Sequence, residues 1–320
     1  MAIKGGGNYP PILSVSGESM AEAWEKSCLE LERKGKIFKR DDEKDCGDQL
    51  DSYMTIEIRN PDANPFSHKK GGTNAVLNPL LDYYFEMLGM KDSWIKDFNN
   101  PEDTTWDYLY HERLGAYPNP TGEPIDQIEF AIKRLINRPF SRRNKLITWY
   151  PERDTKAEDT PCLQGIWFYN FPGDNEKEAS LDMHYNFRSR NVVNASFGNI
   201  QGLYILGCHI RDKVEEATGK KLAIRMIDNI DSYHVNSKDL QKFYGNMKQI
   251  KKSIRKGEGL EERTFTREEV IDGLEYARKD VEEAIIRQTA KNFQGDIEQE
   301  KKRIHKTGDR IFYLLNKYTP

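Results

Sequence analysis

Cys162 stands directly after Pro161, where a soluble stretch gives way to the apolar run Ile166–Phe171. Unaided, a free cysteine at such an edge is more often a packed core residue than a reagent. Three neighbouring features point the other way. Ser141-Arg142-Arg143 follows a helical pattern, Phe187-Arg188-Ser189-Arg190-Asn191 carries further arginines, and Asn199 stands eight residues beyond Asn191. The planar fork of arginine matches phosphate oxygens, and positive charge near a thiol lowers its pKa toward the nucleophilic thiolate. An asparagine amide both donates and accepts, which suits the edge of an amide-like base such as uracil. Taken together, these residues read as a nucleophilic thiol beside an anion grip and a base-reading amide.

The rest of the chain bounds that reading. Its 320 residues fit one large domain or two ordinary ones, and 14 Phe, 16 Tyr and 5 Trp supply ample core despite 32% charged residues. A formal net charge of -3 argues against a general nucleic-acid binder, which needs a basic excess to neutralise phosphates. The start, "MAIKGGGNYPPIL", lacks the apolar core of a signal peptide. No apolar run approaches the roughly 20 residues of a membrane span. Cys28, Cys46, Cys162 and Cys208 form no CxxC pair. The expectation is a cytoplasmic protein with reduced thiols, no disulfide framework and no metal site.

The elements that must position the candidate residues come from periodicity. The Gly/Pro-rich opening reads as an arm or loop, and Ser16–Lys34 as a helix with cap residues at its start. "SYMTIEIRNP" alternates like a strand and stops at Pro61. Residues 78–99 show helical spacing, with Leu81, Tyr84, Phe85 and Leu88 on one side. The aromatic, turn-rich stretch 104–124 suits a surface pocket better than regular structure. "IDQIEFAIKRLINRP" reads as an amphipathic helix stopped by Pro139. "NKLITWYP", "GIWFYNF" and "SLDMHYNFRSRN" read as strands, and "ASFGNIQGLYILGCHIRDKVEEATGK" as a long buried helix ending near Gly219. Residues 248–265 read as a polar linker. Thr266 then opens a long helix with Glu269 as its capping-box partner. The division expected is a catalytic α+β domain over residues 1–250 and a helical extension over 251–320.

From about Asp82 to Asn236 the chain resembles the thymidylate synthase and pyrimidine-nucleotide hydroxymethylase family. The resemblance rests on "TTWDY", "AYPNPTGEPIDQI", "SRR", "PC", "RS", the asparagine beyond it and "SYHVN", all in the family's order. It implies a mixed β-sheet with flanking helices, packed back to back in a homodimer. It implies that Cys162 adds to C6 of the pyrimidine, so that C5 attacks the one-carbon unit of 5,10-methylenetetrahydrofolate. Arg188 and Ser189 match phosphate-binding positions, with Arg188 lowering the Cys162 pKa. Arg142 and Arg143 match arginines that reach the nucleotide of the neighbouring subunit. Asn199 matches the base reader, His234 the histidine near the sugar hydroxyl, Tyr110 a pocket tyrosine and Trp106 the folate-side tryptophan. Glu86, with Asp82 as second choice, takes the role of the acid that moves a proton at C5 and O4.

Departures fall on the folate side. Leu163 stands where the family commonly has a histidine, Asn191 where an aspartate contacts folate, and Asn236 where a tyrosine partners His234. A helical extension takes the place of the short closing tail. These changes favour water addition over hydride transfer, hence 5-hydroxymethylation, with dUMP ahead of dCMP or CMP because Asn199 rather than an aspartate reads the base. Reductive methylation, as in a thymidylate synthase, is the second reading. A non-catalytic nucleotide- or RNA-binding homodimer is the third.

Overall fold

The computed structural model describes residues 9–40, 46–72, 77–96, 100, 103, 105–173, 178–292 and 295–319. Its strands are β1 (Ile12–Gly17), β2 (Lys36–Arg40), β3 (Gly47–Ile58), β4 (Ser67–His68), β5 (Lys145–Ile147), β6 (Leu163–Pro172), β7 (Glu178–Phe187), β8 (Arg190–Asn191), β9 (Lys221–Val235) and β10 (Thr264–Phe265). Period-two burial builds the central sheet: Leu181, Met183, Tyr185 and Phe187 of β7 are buried, whereas His184 and Asn186 are only partly so. The order β1-β3-β9-β7-β6-β5, with β2 on β3 and β8 on β9, mixes parallel and antiparallel pairs. Around it lie α1 (Met20–Lys34), α2 (Leu77–Met87), α3 (Tyr110–Gly115), α4 (Gln127–Asn137), α5 (Pro151–Asp154), α6 (Ser196–Thr218), α7 (Leu240–Arg255), α8 (Arg267–Asn292) and α9 (Ile297–Lys317). This is the expected α+β class, a mixed sheet with flanking helices.

The central helix α6 is buried almost all round and ends at Gly219 with φ 68°, a left-handed cap suited to glycine. The helix α4 starts where Asp126 accepts from the Glu129 amide at 2.8 Å. The Gln127 side chain then accepts from the Ile147 amide at 2.9 Å and donates to the Arg113 and Ile147 carbonyls. The glutamine of "IDQI" is therefore a clamp between α3, α4 and β5.

Five expectations are corrected. Residues 12–15, read as part of an arm or loop, and Ser16–Gly17, read as the start of a helix, form β1, whose ladder with β3 runs from Ile12↔Tyr53 to Gly17↔Ile58. The first helix consequently starts late, at Met20 behind the Ser19 cap, because Ser16 is spent on the strand and on a 2.8 Å bond to Glu57. The helix expected over 78–99 stops at Met87, and residues 97–99 lie outside the described ones. Gly89 turns the chain at φ 83°, and a Cβ there would meet the His111 ring at 2.5 Å. The linker expected from 248 is helical as far as Arg255, because Phe243, Met247 and Ile250 bury a narrow stripe among its lysines. The stretch taken as irregular contains α3, and Thr104 of "TTWDY" lies outside the described residues.

The capping box is present: the Thr266 amide donates to Glu269 at 2.7 Å, and the Glu269 amide to the Thr266 hydroxyl at 3.2 Å. Helices α8 and α9 pack on α2 and α6. Buried Arg267 ties them down, donating to the Leu315 carbonyl at 3.1 Å and the Tyr204 hydroxyl at 2.7 Å. Among the described residues no helix is long and apolar enough to cross a membrane.

Candidate active site

A cavity of about 420 Å³ opens between α2, the segment Trp106–Tyr110 and the N-terminal end of α6. It brings together Glu86, Asp82, Trp106, Tyr110 and Asn199 from the sequence reading, and adds Tyr83, Lys91, Tyr108 and Asp159. Helical spacing explains the α2 wall: Asp82, Tyr83 and Glu86 share one side, while Leu80, Leu81, Tyr84 and Phe85 are buried in the core. Burial of each such side chain stabilises the fold by roughly 1.5–3 kcal/mol, so the wall is rigid.

Cys162 sits beside this cavity, immediately before β6, partly buried and packed on the core. Its thiol is hydrogen-bonded to Tyr108. Burial pushes the thiol pKa up; Arg188, Arg190 and the Tyr108 bond pull it down, and Asp159 pushes it up. The effect expected of Arg188 therefore holds in sign, but without ligand burial outweighs it and the group is a thiol.

Arg188 is exposed and clamps the cysteine loop. It donates through Nε to the Pro161 carbonyl at 3.2 Å and through Nη2 to the Thr160 carbonyl at 2.7 Å, while its own amide donates to the Cys162 carbonyl at 2.9 Å. Two residues on, Arg190 is fully buried, ion-paired with Asp228 and 3.6 Å from the Phe187 ring centre. Burial pushes Asp228 up to about 6 against that pairing.

Of the carboxyls lining the cavity, Glu86 is the one set deepest. Burial pushes its carboxyl up to about 7, Lys91 opposes the rise, and Asp82 adds to it. Lys91 Nζ donates to Asp82 at 2.5 Å and reaches Glu86 at 3.5 Å. A carboxyl balanced near neutrality can both give and take a proton. Across the cavity, Asn199 Nδ2 donates to the Tyr83 hydroxyl at 2.9 Å, and burial keeps that phenol protonated.

Other expected residues lie elsewhere. Exposed Arg142 and Arg143 line a separate groove with Arg134, Arg138 and Phe140, away from this chain's own cavity. Ser189 is half-buried in the turn between β7 and β8. Asn191 accepts from the Val193 and Asn194 amides at 2.9 Å each and donates to Asp239 at 3.3 Å, so it fastens the turn leading into α6. His234 pairs with Asn191 in the β8–β9 ladder, its Nδ1 3.2 Å from the Ser232 carbonyl. The Asn236 carbonyl accepts from the Asp239 amide at 2.9 Å.

Sequence reasoning missed Tyr83, Lys91, Tyr108 and Asp159. Tyr83 was findable, being three residues before Glu86 on the same helical side. Lys91 and Asp159 follow turns that no periodicity describes. Among the described residues no group of His, Cys, Asp and Glu forms a candidate metal cluster.

A thiol at a buried edge lies beside one cavity that is lined by a carboxyl held near neutrality and, across it, an amide. The thymidylate synthase family profile matches residues 84–283, which include every residue of that set. A protein of Methanothermobacter thermautotrophicus is 24% identical over 229 residues, covering 71% of this chain and 96% of its own length. One from Methanosarcina mazei is 28% identical over 200 residues (62% and 81%), and one from Methanocaldococcus jannaschii 32% over 149 (44% and 63%). All three carry a provisional thymidylate synthase name. The chain belongs to the thymidylate synthase family. It is a transferase of one-carbon groups, and the family's acceptor is a pyrimidine.

Proposed function

We propose that the protein hydroxymethylates C5 of a pyrimidine nucleoside monophosphate, dUMP in preference to dCMP or CMP, with 5,10-methylenetetrahydrofolate as one-carbon donor. The Cys162 thiolate forms a bond to C6, and C5 then attacks the donor's methylene carbon. Loss of the C5 proton and departure of tetrahydrofolate leave an exocyclic methylene. Water adds its oxygen to that carbon, and the Cys162–C6 bond breaks. Glu86 moves the proton at C5 and O4, Asn199 reads the base edge, and Arg188 with Ser189 holds the phosphate. The half-exposed Trp106 indole and the apolar walls Pro79 and Leu109 fit a flat heteroaromatic ring of the donor.

One observation carries the choice of water over hydride. Helix α9 ends in ion pairs and hydrogen bonds of Lys317 to Asp212 and of Tyr318 to Glu215. Glu215 lies on α6 about 24 Å from Asn199 at the helical rise. The described residues 317–319 are thus held at the far end of α6 rather than over the cavity, which supports water as the reagent that meets the methylene intermediate.

The same reading makes the protein a homodimer. The outward row Trp167, Tyr169, His184, Asn186 and Ile227 of the sheet is half-buried and suits a second copy of the sheet. Exposed Arg142 and Arg143, away from their own cavity, then reach the partner's nucleotide. Tritium release from C5-labelled dUMP, dCMP and CMP tests the shared first half of the reaction. Release fastest from dUMP is expected, and none from any nucleotide would favour the binding-protein reading.

A further inference from the structure

Lys91 is a cation lining the cavity that the proposed reaction does not use. It is 5% exposed, bonded to Asp82 and near Glu86, and its ammonium lies 5.2 Å from the Trp94 ring centre. A buried ammonium keeps its charge only where its surroundings hold it against its partners. The surroundings here come from the far end of the chain. The Trp94 indole N–H donates to the Thr289 hydroxyl of α8 at 3.0 Å, and Thr289 is buried. From α9, Arg303 donates to the Gly89 carbonyl at 3.4 Å. The segment bearing Lys91 is thereby fastened at Gly89 and at Trp94 by the two C-terminal helices.

We propose that α8 and α9 are a positioning element for the cavity acid, with Thr289 acting through Trp94 on Lys91 and Lys91 acting on Glu86. The proposal rests on the reading of this cavity as the reaction site. The groups facing Glu86 are Asp82 and Tyr83 of its own helix and, from the following turn, Lys91 and Asp92. The last is held by His111 of α3 at 2.7 Å. Arg303 of α9 is taken up by Glu300 and the Gly89 carbonyl rather than by Glu86. Lys91 is the cation that reaches the Glu86 carboxyl, so its placement sets how readily that carboxyl ionises.

The test is a 13C titration of glutamate-labelled protein, with E86Q assigning the Glu86 signal, in K91M, T289V, T289S and K91M/T289V. Circular dichroism confirms that each chain is folded. K91M is expected to move the Glu86 titration upward by about one pH unit or more. T289V moves it the same way by less, T289S restores it, and the double variant goes no further than K91M. Should K91M fail to fold, the T289V and T289S pair still decides. An unchanged titration in T289V, or a T289V shift adding in full to that of K91M, overturns the proposal. Tritium release run in parallel keeps the two readings apart: without it the functional reading falls, while the titration still measures positioning.

Discussion

The two sides of the site are built differently. On the acid side, Glu86, Lys91, Tyr83 and Asn199 stand on α2, the turn after it and α6, all braced by α8, α9 or the core, and their hydrogen bonds are already made. On the side proposed to hold phosphate, Arg188, Arg142 and Arg143 are exposed, and the Arg188 fork is occupied by carbonyls of the cysteine loop. Burial also works in opposite senses on the two reagents. It brings Glu86 to about 7, where a proton moves easily, but pushes Cys162 away from its reactive form. On the proposed reading the acid is poised before substrate arrives, whereas burial holds the nucleophile as a thiol despite the pull of Arg188.

Breaking the nucleophile has the largest effect. C162S should fold and bind nucleotide yet lose tritium release by on the order of 10³-fold or more, because the bond to C6 is the role proposed for this thiol. Retained turnover would remove the covalent step.

Breaking the acid comes next, and it separates function from stability. E86Q should cost on the order of 10²–10⁴-fold in turnover. The native carboxyl, near 7 against an ordinary 4.5, holds its proton more tightly than the unfolded chain does. Its contribution to stability is therefore full at acidic pH and is lost as pH rises through 7. Denaturation of E86Q at pH 8 should accordingly show a gain on the order of 1–3 kcal/mol over the native chain, with little difference at pH 4. Equal stabilities at pH 8 would contradict the buried acid.

On the reading edge, N199D should shift the ratio of kcat/KM toward cytosine by about 10–100-fold. The smallest effect belongs to the exposed arginines. R142A/R143A should raise the nucleotide KM by about 10-fold. Mixing that variant with C162S subunits should then restore activity through heterodimers holding one intact site. No restoration would place these arginines in their own subunit's site, or in none.

The motif residues were legible because their chemistry is rare: a thiol after proline, clustered arginines and an asparagine at fixed spacing. Capping chemistry was equally legible in Thr266 and Glu269, whose bonds are local. The Lys91 contacts were not, since Trp94 and Thr289 meet across 195 residues with no shared period. The stripe Phe243, Met247 and Ile250 was hidden by the lysines around it, and β1 by the glycines and prolines before it. Asn191 shows the opposite limit. Its place in the motif was legible as the folate-side position, but its bonds to Asp239 and two backbone amides were not.

The account turns on what meets the exocyclic methylene once C5 has attacked. Incubating the protein with dUMP and 5,10-methylenetetrahydrofolate and weighing both products decides it. The expected pair is 5-hydroxymethyl-dUMP with tetrahydrofolate; dTMP with dihydrofolate would contradict the reading and make hydride, not water, the final reagent.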